Sequence, residues 1–510
     1  MTNSTENFNI TPDCDEDGAQ TEFADGKITD GAEFLSDENG REGIAATDKA
    51  ATGGAKDTEK KNGLDDLTQG SLIKKILIFS LPLVLSNVLQ VLFNMADVAV
   101  VGRFGRDGSL GAVGSTTTIV AMFTGVLLGV GGGINAIVAR YYGAKNADGV
   151  KKSVHSALLI SLIVGAVLLG IGVGFARPIL KLLGTKDEFL DGATLYLRIY
   201  FLGMPALAAY NCGNGIFSAI GNTRRPLVYL IAAGIINVIL NLFFVIVVGI
   251  DVAGVGIASI ISQYVSGFLV LLALFRKKNE CYGMSFRSLR FSSVQTREIV
   301  ALGLASGLQN AIFQLANLFT QSGVNSFDPE TVEGSVAAQN ADALVYDVMA
   351  AFYTACSSFM AQAYGAGKRD RVVKSYFISM GYAFLIAAVM GAALVLFGEA
   401  FLALFTSKPI VVERGMDRLR VMGLSYAISA FMDCTIAASR GLGKSFVPSI
   451  IVIMGSCVFR IVWIFTIFAH FHTIISLYLL YPCSWAITAI AEIVYFAILY
   501  RKTFPKNKKE

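Results

Sequence analysis

Asp97 is the residue whose setting most constrains its chemistry. Between Ile76 and Lys277 it is the only carboxylate inside an apolar run; Asp107, Asp148, Asp187, Glu188, Asp191 and Asp251 fall in loops or at run edges. An ionisable side chain within a membrane span costs at least ~2.5–3.5 kcal/mol on insertion scales, so it needs a partner, a cavity or a task. A lone carboxyl among apolar walls exchanges a proton, or coordinates Na+ where amide oxygens stand nearby. Amides are supplied by Asn87, Asn94, Asn211, Asn214, Asn237 and Asn241, and the last two, one turn apart, share a helix face. The bland roles are a carboxylate that merely hydrates a helix end and amides that only tie helices together. Asp342, Asp347, Asp433, Arg460 and Glu492 also fall in apolar runs. Asp342 and Asp347, five residues apart, cannot share a tight face, so one is expected to face a cavity while the other pairs. Asp433 reads either as a coupling or substrate contact or as the ion-pair partner of Arg460, and Glu492 and Arg460 read as structural counter-ions. Phe93, Met95, Phe313, Tyr346, Met349 and Phe352 suit an adaptable wall for flat cations, or ordinary packing.

The elements that must position these groups are apolar helices in a tandem duplication. Val138 to Ser153 (VARYYGAKNADGVKKS) and Met360 to Ser375 (MAQAYGAGKRDRVVKS) share eight identities in sixteen at an offset of 222 residues. The same offset relates Arg198, Leu202, Ala208, Cys212, Gly221 and Pro226 to Arg420, Leu424, Ala430, Cys434, Gly443 and Pro448. A chain 54% hydrophobic and 16% charged, with mean hydropathy +0.59, is too apolar for a soluble protein of 510 residues. Crossing ~30 Å of hydrocarbon takes ~20 helical residues. Six runs of that size occur per half, near 75–102, 112–139, 153–176, 192–217, 226–250 and 252–275, then 299–325, 335–361, 375–398, 411–439, 446–469 and 473–500. Pro82 and Pro205 interrupt the first and fourth, and glycines 125, 129, 131, 132 and 133 crowd the second.

The predicted organisation is all-α: an acidic disordered cytoplasmic tail over 1–70, an N-lobe of helices 1–6 over 71–276, a cytoplasmic inter-lobe linker at 277–297, a C-lobe of helices 7–12 over 298–502, and a basic cytoplasmic tail at 503–510. Residues 1–66 hold 17 Asp and Glu against six Lys and Arg, and the remainder holds 21 against 36, so the net +4 conceals a strong split. No basic and apolar leader precedes the first run. Loops after even-numbered runs carry the basic residues, among them Lys151, Lys152, Arg224, Arg225, Arg276, Lys277, Lys368 and Arg369, which places those faces and both termini in the cytoplasm of a multi-pass inner-membrane protein. Seven cysteines, odd in number and with no CxxC or Cys/His cluster, predict neither disulfides nor zinc. HExxH, GxSxG and repeated selectivity-filter sequences are absent, which argues against an enzyme and against a channel.

Five motifs in order carry a family resemblance: FNMADVAVVGRFG around Asp97, the Gly-rich second run leading into VARYYGAKNADGVKKS, FSAIGNTRRP between runs four and five, MAQAYGAGKRD after the eighth, and MDCTIAASRGLGKS on the tenth. Over 70–502 the chain resembles the multidrug and toxic compound extrusion (MATE) family. The resemblance implies twelve transmembrane helices in two six-helix lobes about a central cavity. It also implies antiport that exports organic cations, drugs or related metabolites against H+ or Na+ by alternating access, with no cofactor and no nucleic-acid partner; a monomer is expected. Ion coupling would fall to Asp97, Asn211, Asn237, Asn241 and Asp433, with Asp97 as the Na+ ligand if Na+ is used. Where one branch of the family has an Asp working with the first-span acid, this chain has Asn241. Asp433 resembles a tenth-span acid of another branch, whose seventh-span Glu is missing here, since 299–327 contain no acid and Gln309, Asn310, Gln314 and Asn317 stand instead. Substrate contacts would fall to Asp342, which resembles an acid of many bacterial members, and to Gln309, Asn310, Phe313, Tyr346 and Met349. The rival is a flippase for lipid-linked precursors built on a related repeat; such proteins usually have extra spans and a basic cavity.

Overall fold

The computed structural model describes residues 66–106 and 108–505. Every element among them is helical, as hydrocarbon requires of a spanning chain that must satisfy its own backbone hydrogen bonds. Eleven helices are long and apolar enough to cross a membrane. Spans one to three are Leu72–Phe104, Ser109–Gly143 and Ala147–Leu182, and spans five and six are Arg224–Val248 and Asp251–Arg276. Spans seven to twelve are Ser293–Val324, Pro329–Gly365, Arg369–Leu402, Pro409–Gly441, Phe446–Phe471 and Ile474–Thr503. The fourth span is broken into Asp187–Phe201 and Met204–Ala219, as the second is into Ser109–Gly114 and Thr117–Gly143. Pro205 has no N–H to continue the first piece, and it lies in the opening turn of the second, where that loss is harmless. Pro82, by contrast, lies within one unbroken helix.

The first span packs on the eighth and the second on the seventh, the pairing that a two-fold relation between six-helix lobes demands. The second–seventh contact is backbone to backbone: a Cβ added at Gly129 would lie 2.3 Å from the Gly307 nitrogen, and one at Gly133 2.6 Å from the Gly303 nitrogen. With lipid as apolar as any side chain, such close approach is what holds helices together.

At the end of the bundle where the even-numbered spans finish, the lobes are sealed. Arg140 of the second span pairs with Glu298 of the seventh at 2.5 Å. Ser358 of the eighth donates to Asn135 Oδ1 of the second at 2.9 Å. Gln362, fully buried, donates to the Ala219 carbonyl at 2.6 Å and accepts from the Leu67 N–H at 3.2 Å.

That last bond corrects an expectation. Residues 66–70 were expected within the disordered tail, yet Leu67 is fully buried, and Arg371 donates to the carbonyls of Leu67, Gln69 and Gly70. Apolar Leu67 and the basic loop after the eighth span supply the contacts that hold this stretch. Residues 1–65 and 506–510 lie outside the described residues. The expected linker is partly structured too: the seventh helix begins at Ser293, and the Ser285 and Ser292 N–H groups donate to His155 Nε2 (3.1 Å) and Ser156 Oγ (3.0 Å) of the third span.

Candidate functional site

Each lobe encloses a cavity. The one in the first lobe, about 340 Å³, is lined by Asp97, Phe93, Asn211, Asn237, Ser259 and Gln263 among others. The first span carries Asp97 two turns from its end, and the fifth and sixth bring up the partners. Asn241 donates through Nδ2 to Asp97 Oδ1, and Ser259 Oγ donates to Oδ2 at 3.2 Å. Asn241 Nδ2 also reaches Asn237 Oδ1 at 3.2 Å, and Asn237 meets Ser262 Oγ at 3.5 Å. Among the described residues no basic side chain pairs with Asp97. The result is a carboxyl ringed by amide and hydroxyl groups at a cavity wall, able to take up a proton or a hard cation. Asn211 lines the same cavity, but its Nδ2 bonds the Leu207 carbonyl of its own helix at 2.9 Å. Among the described residues no three His, Cys, Asp or Glu side chains gather as a metal site.

The sequence reasoning missed Ser259, Ser262 and Gln263. The signal was present: with Ser266 they form a stripe at i, i+3, i+4 and i+7 on an otherwise apolar sixth helix, the spacing of one face.

The second lobe holds a cavity of about 440 Å³, lined by Phe313, Asn317, Asp347, Arg460, Tyr481 and Trp485 among others. Asp342 and Tyr346 line it as well. Asp342, however, accepts from Arg418 Nε at 3.0 Å and Nη2 at 2.6 Å, and Tyr426 donates to its other oxygen. Arg418, itself buried, was not singled out in the sequence; nine residues into its helix it reads like a flanking charge. Asp342 is therefore the member of the pair that is bonded, and Asp347, with no side-chain partner among the described residues, lines the cavity. Three expected substrate contacts do not line the cavity, which is a correction. Asn310 donates to the Gly125 carbonyl at 3.0 Å and Gln309 accepts from Ser449 at 2.9 Å. Met349 is fully buried in the lobe core. All three lie about a turn deeper than Phe313, Gln314 and Tyr346; the second span closes on Asn310, the eleventh meets Gln309, and the lobe core packs around Met349.

The expected counter-ion roles are also corrected. Among the described residues no carboxylate lies within ion-pair reach of Arg460: its Nη1 donates to Asn317 at 3.0 Å and its Nε to Ser484 at 3.3 Å. Both oxygens of Glu492 are buried without a hydrogen-bond partner, and Asp433 is bonded neither to Arg460 nor to any other base. Neither Asp433 nor Glu492 lines the cavity.

The comparisons agree with this architecture. The MatE family model matches twice, over residues 82–243 and 305–466, once per lobe and close to the sequence's own repeat offset. The probable multidrug resistance protein YpnP of Bacillus subtilis is 27% identical over 71% of this chain and 80% of its own length. YoeA of the same organism, described likewise, is 24% identical over 85% of this chain and 95% of its own length. The FAD transporter of Shewanella oneidensis is 25% identical over 66% of this chain and 75% of its own. Among solved structures, a MOP superfamily transporter from Pyrococcus furiosus, described as having a binding pocket of reverse polarity, superposes with a TM-score of 0.81 at 23% identity, covering 87% of this chain and 99% of that one. With two matched repeats, twelve helices in two lobes and a cavity in each, the chain belongs to the MatE family of multidrug efflux transporters.

Proposed function

We propose that this chain is an antiporter of the inner membrane that exports small organic molecules, drugs or metabolites, in exchange for H+ or Na+, with the coupling cation carried at Asp97. The observation that carries the reading is the setting of that carboxyl: on a cavity wall, held by Asn241 and Ser259, and paired with no base. A group so placed changes charge when it loads a cation, and a change of charge is what biases one arrangement of the lobes over another. The basic residues after even-numbered spans put the sealed end of the bundle in the cytoplasm, with both termini. A seal at the cytoplasmic end supports reading this arrangement as the outward-facing member of an alternating-access cycle in which lobes 71–276 and 298–502 rock about the linker 277–297. The membrane potential supplies ~2.3 kcal/mol per charge per 100 mV to such a cycle.

Reconstituted into proteoliposomes with a H+ gradient or a Na+ gradient imposed separately, the protein should drive dye or drug exchange with one of the two. Asp97→Asn should reconstitute normally and lose that exchange. Undiminished exchange by the variant would remove Asp97 from the mechanism.

A further inference from the structure

The duplicated lobes place different chemistry where their last two spans meet. In the first lobe the fifth and sixth spans meet at the cavity through Asn237 and Ser262; in the second lobe the corresponding eleventh and twelfth spans meet through Arg460 and Ser484. Arg460 sits on a short α-helical turn, Phe459–Trp463, between two π-helical stretches, Ile453–Val458 and Ile464–Phe468. Widened turns of this kind recur at functional sites because they turn a side chain off the regular helical path. The guanidinium lies 4.7 Å from the Phe313 ring centre and 4.6 Å from that of Tyr481. Asn317 and Ser484 fix its Nη1 and Nε, while Nη2 is buried and has no partner at all. Of five N–H donors, two are used, and the guanidinium, fully buried at the cavity wall, leaves Nη2 unsatisfied for an anion to meet as the wall gives.

We propose that the second-lobe cavity binds a planar aromatic compound bearing a carboxylate, with the anion meeting the free edge of Arg460 and the ring lying among Phe313, Tyr346, Tyr481 and Trp485. Arg–carboxylate recognition is bidentate and planar, which suits a guanidinium held close to two aromatic rings. The other charged groups of this cavity fit the assignment. Asp342 is occupied by Arg418 and Tyr426, so it offers no receptor for an organic cation. Asp347 is unpaired, and its carboxylate opposes the anion until it takes up a proton at a cost to affinity, whereas a guanidinium cannot lose one. The permanent charge facing a ligand is therefore positive. At about 440 Å³ the cavity falls in the range of small-molecule sites. The inference rests on the reading of the chain as an exporter of small organic molecules and names the charge class that this site accepts.

The test uses three ligands with one ring system: 2-naphthoate, naphthalene-2-carboxamide and 2-naphthylmethylammonium. Each is titrated calorimetrically into the full chain in lipid nanodiscs, with empty nanodiscs subtracted. The anion should bind at least tenfold more tightly than the amide, and the ammonium most weakly. Arg460→Gln should bring naphthoate down to the affinity of the amide, with Arg460→Lys in between. Asp347→Asn, which deletes no protein contact of that side chain, should tighten naphthoate severalfold and leave the amide unchanged; it carries the test if Arg460→Gln does not fold. A naphthoate affinity no better than the amide's, or one indifferent to Arg460→Gln or to Asp347→Asn, overturns the proposal. Continued gradient-driven exchange by Asp97→Asn would overturn the coupling mechanism and leave this site standing, so the two failures are separable.

Discussion

Four residues, Asp97, Asp342, Arg418 and Arg460, account for most of what distinguishes the two lobes, and their partners dictate what each substitution should do. Ser259 gives Asp97 one hydroxyl hydrogen bond at 3.2 Å, and such a bond is worth roughly 0.5–1.5 kcal/mol net. Ser259→Ala should therefore shift the H+ or Na+ concentration for half-maximal exchange by up to about tenfold without abolishing exchange, in contrast to Asp97→Asn. An unchanged half-maximal concentration would mean that Ser259 does not contact the loaded carboxyl. Asp342 answers to a different rule, since removing one partner of a buried ion pair strands the other's charge. Asp342→Asn should lower stability by about 3–5 kcal/mol, seen as a large fall in thermal unfolding temperature, and Arg418→Gln added to it should restore much of the loss. If Asp342→Asn instead unfolds normally and loses only ligand binding, Asp342 is a substrate contact after all.

At the scale of the helix, the second–seventh contact is the most exacting element. An alanine at Gly129 would bring its Cβ 2.3 Å from the Gly307 nitrogen, and backbone cannot move aside as a flexible side chain would. Gly129→Ala should cost about 1–3 kcal/mol as overpacking does. Gly170→Ala, on a third-span site with nothing within 4 Å of the new methyl, should be neutral or stabilising by about 0.5–1 kcal/mol. Thermal unfolding of the two variants side by side checks the contrast, and equal behaviour would show that the helices do not pack this closely. The helices themselves were legible in the sequence, because apolar runs bounded by Gly, Pro and charge are what a bilayer imposes; Pro205 marked a break, whereas Pro82, expected to interrupt the first span likewise, does not. The acid of the first lobe was legible too, since a single carboxylate in an apolar helix stands out. What could not be read was where a neighbouring helix closes the space. Gln309 and Asn310 look as accessible as Phe313 and Gln314 until the second span is seen to touch the former pair's turn. The Asp342–Arg418 pair joins positions 76 residues apart, and no local pattern announces it.

For the molecule as a whole, the sealed end is where the proposed alternating-access cycle would decide which arrangement of lobes is populated. Gln362 is the joint with the most reach, tying the eighth span at once to Ala219 at the end of the fourth and to Leu67 ahead of the first. All three groups are buried, so both bonds form away from competing water, and both must break before the lobes part at that end. Gln362→Ala removes the two together. At roughly 0.5–1.5 kcal/mol each, their loss should shift the balance toward the opened arrangement by about five- to a hundredfold, with tenfold for every 1.4 kcal/mol. The same substitution leaves Asp97 and both cavities untouched, so binding at either cavity in the present arrangement should be lost only in proportion to that shift. Hydrogen–deuterium exchange in nanodiscs reads the change directly. Peptides covering the ends of the second and eighth spans around Gly143 and Gly365 should take up deuterium faster in Gln362→Ala, while those at Gly129 and Gly307 change little. Equal uptake at Gly143 and Gly365 in the two proteins would show that the seal is held by helix packing and the Arg140–Glu298 pair alone, with Gln362 a passenger.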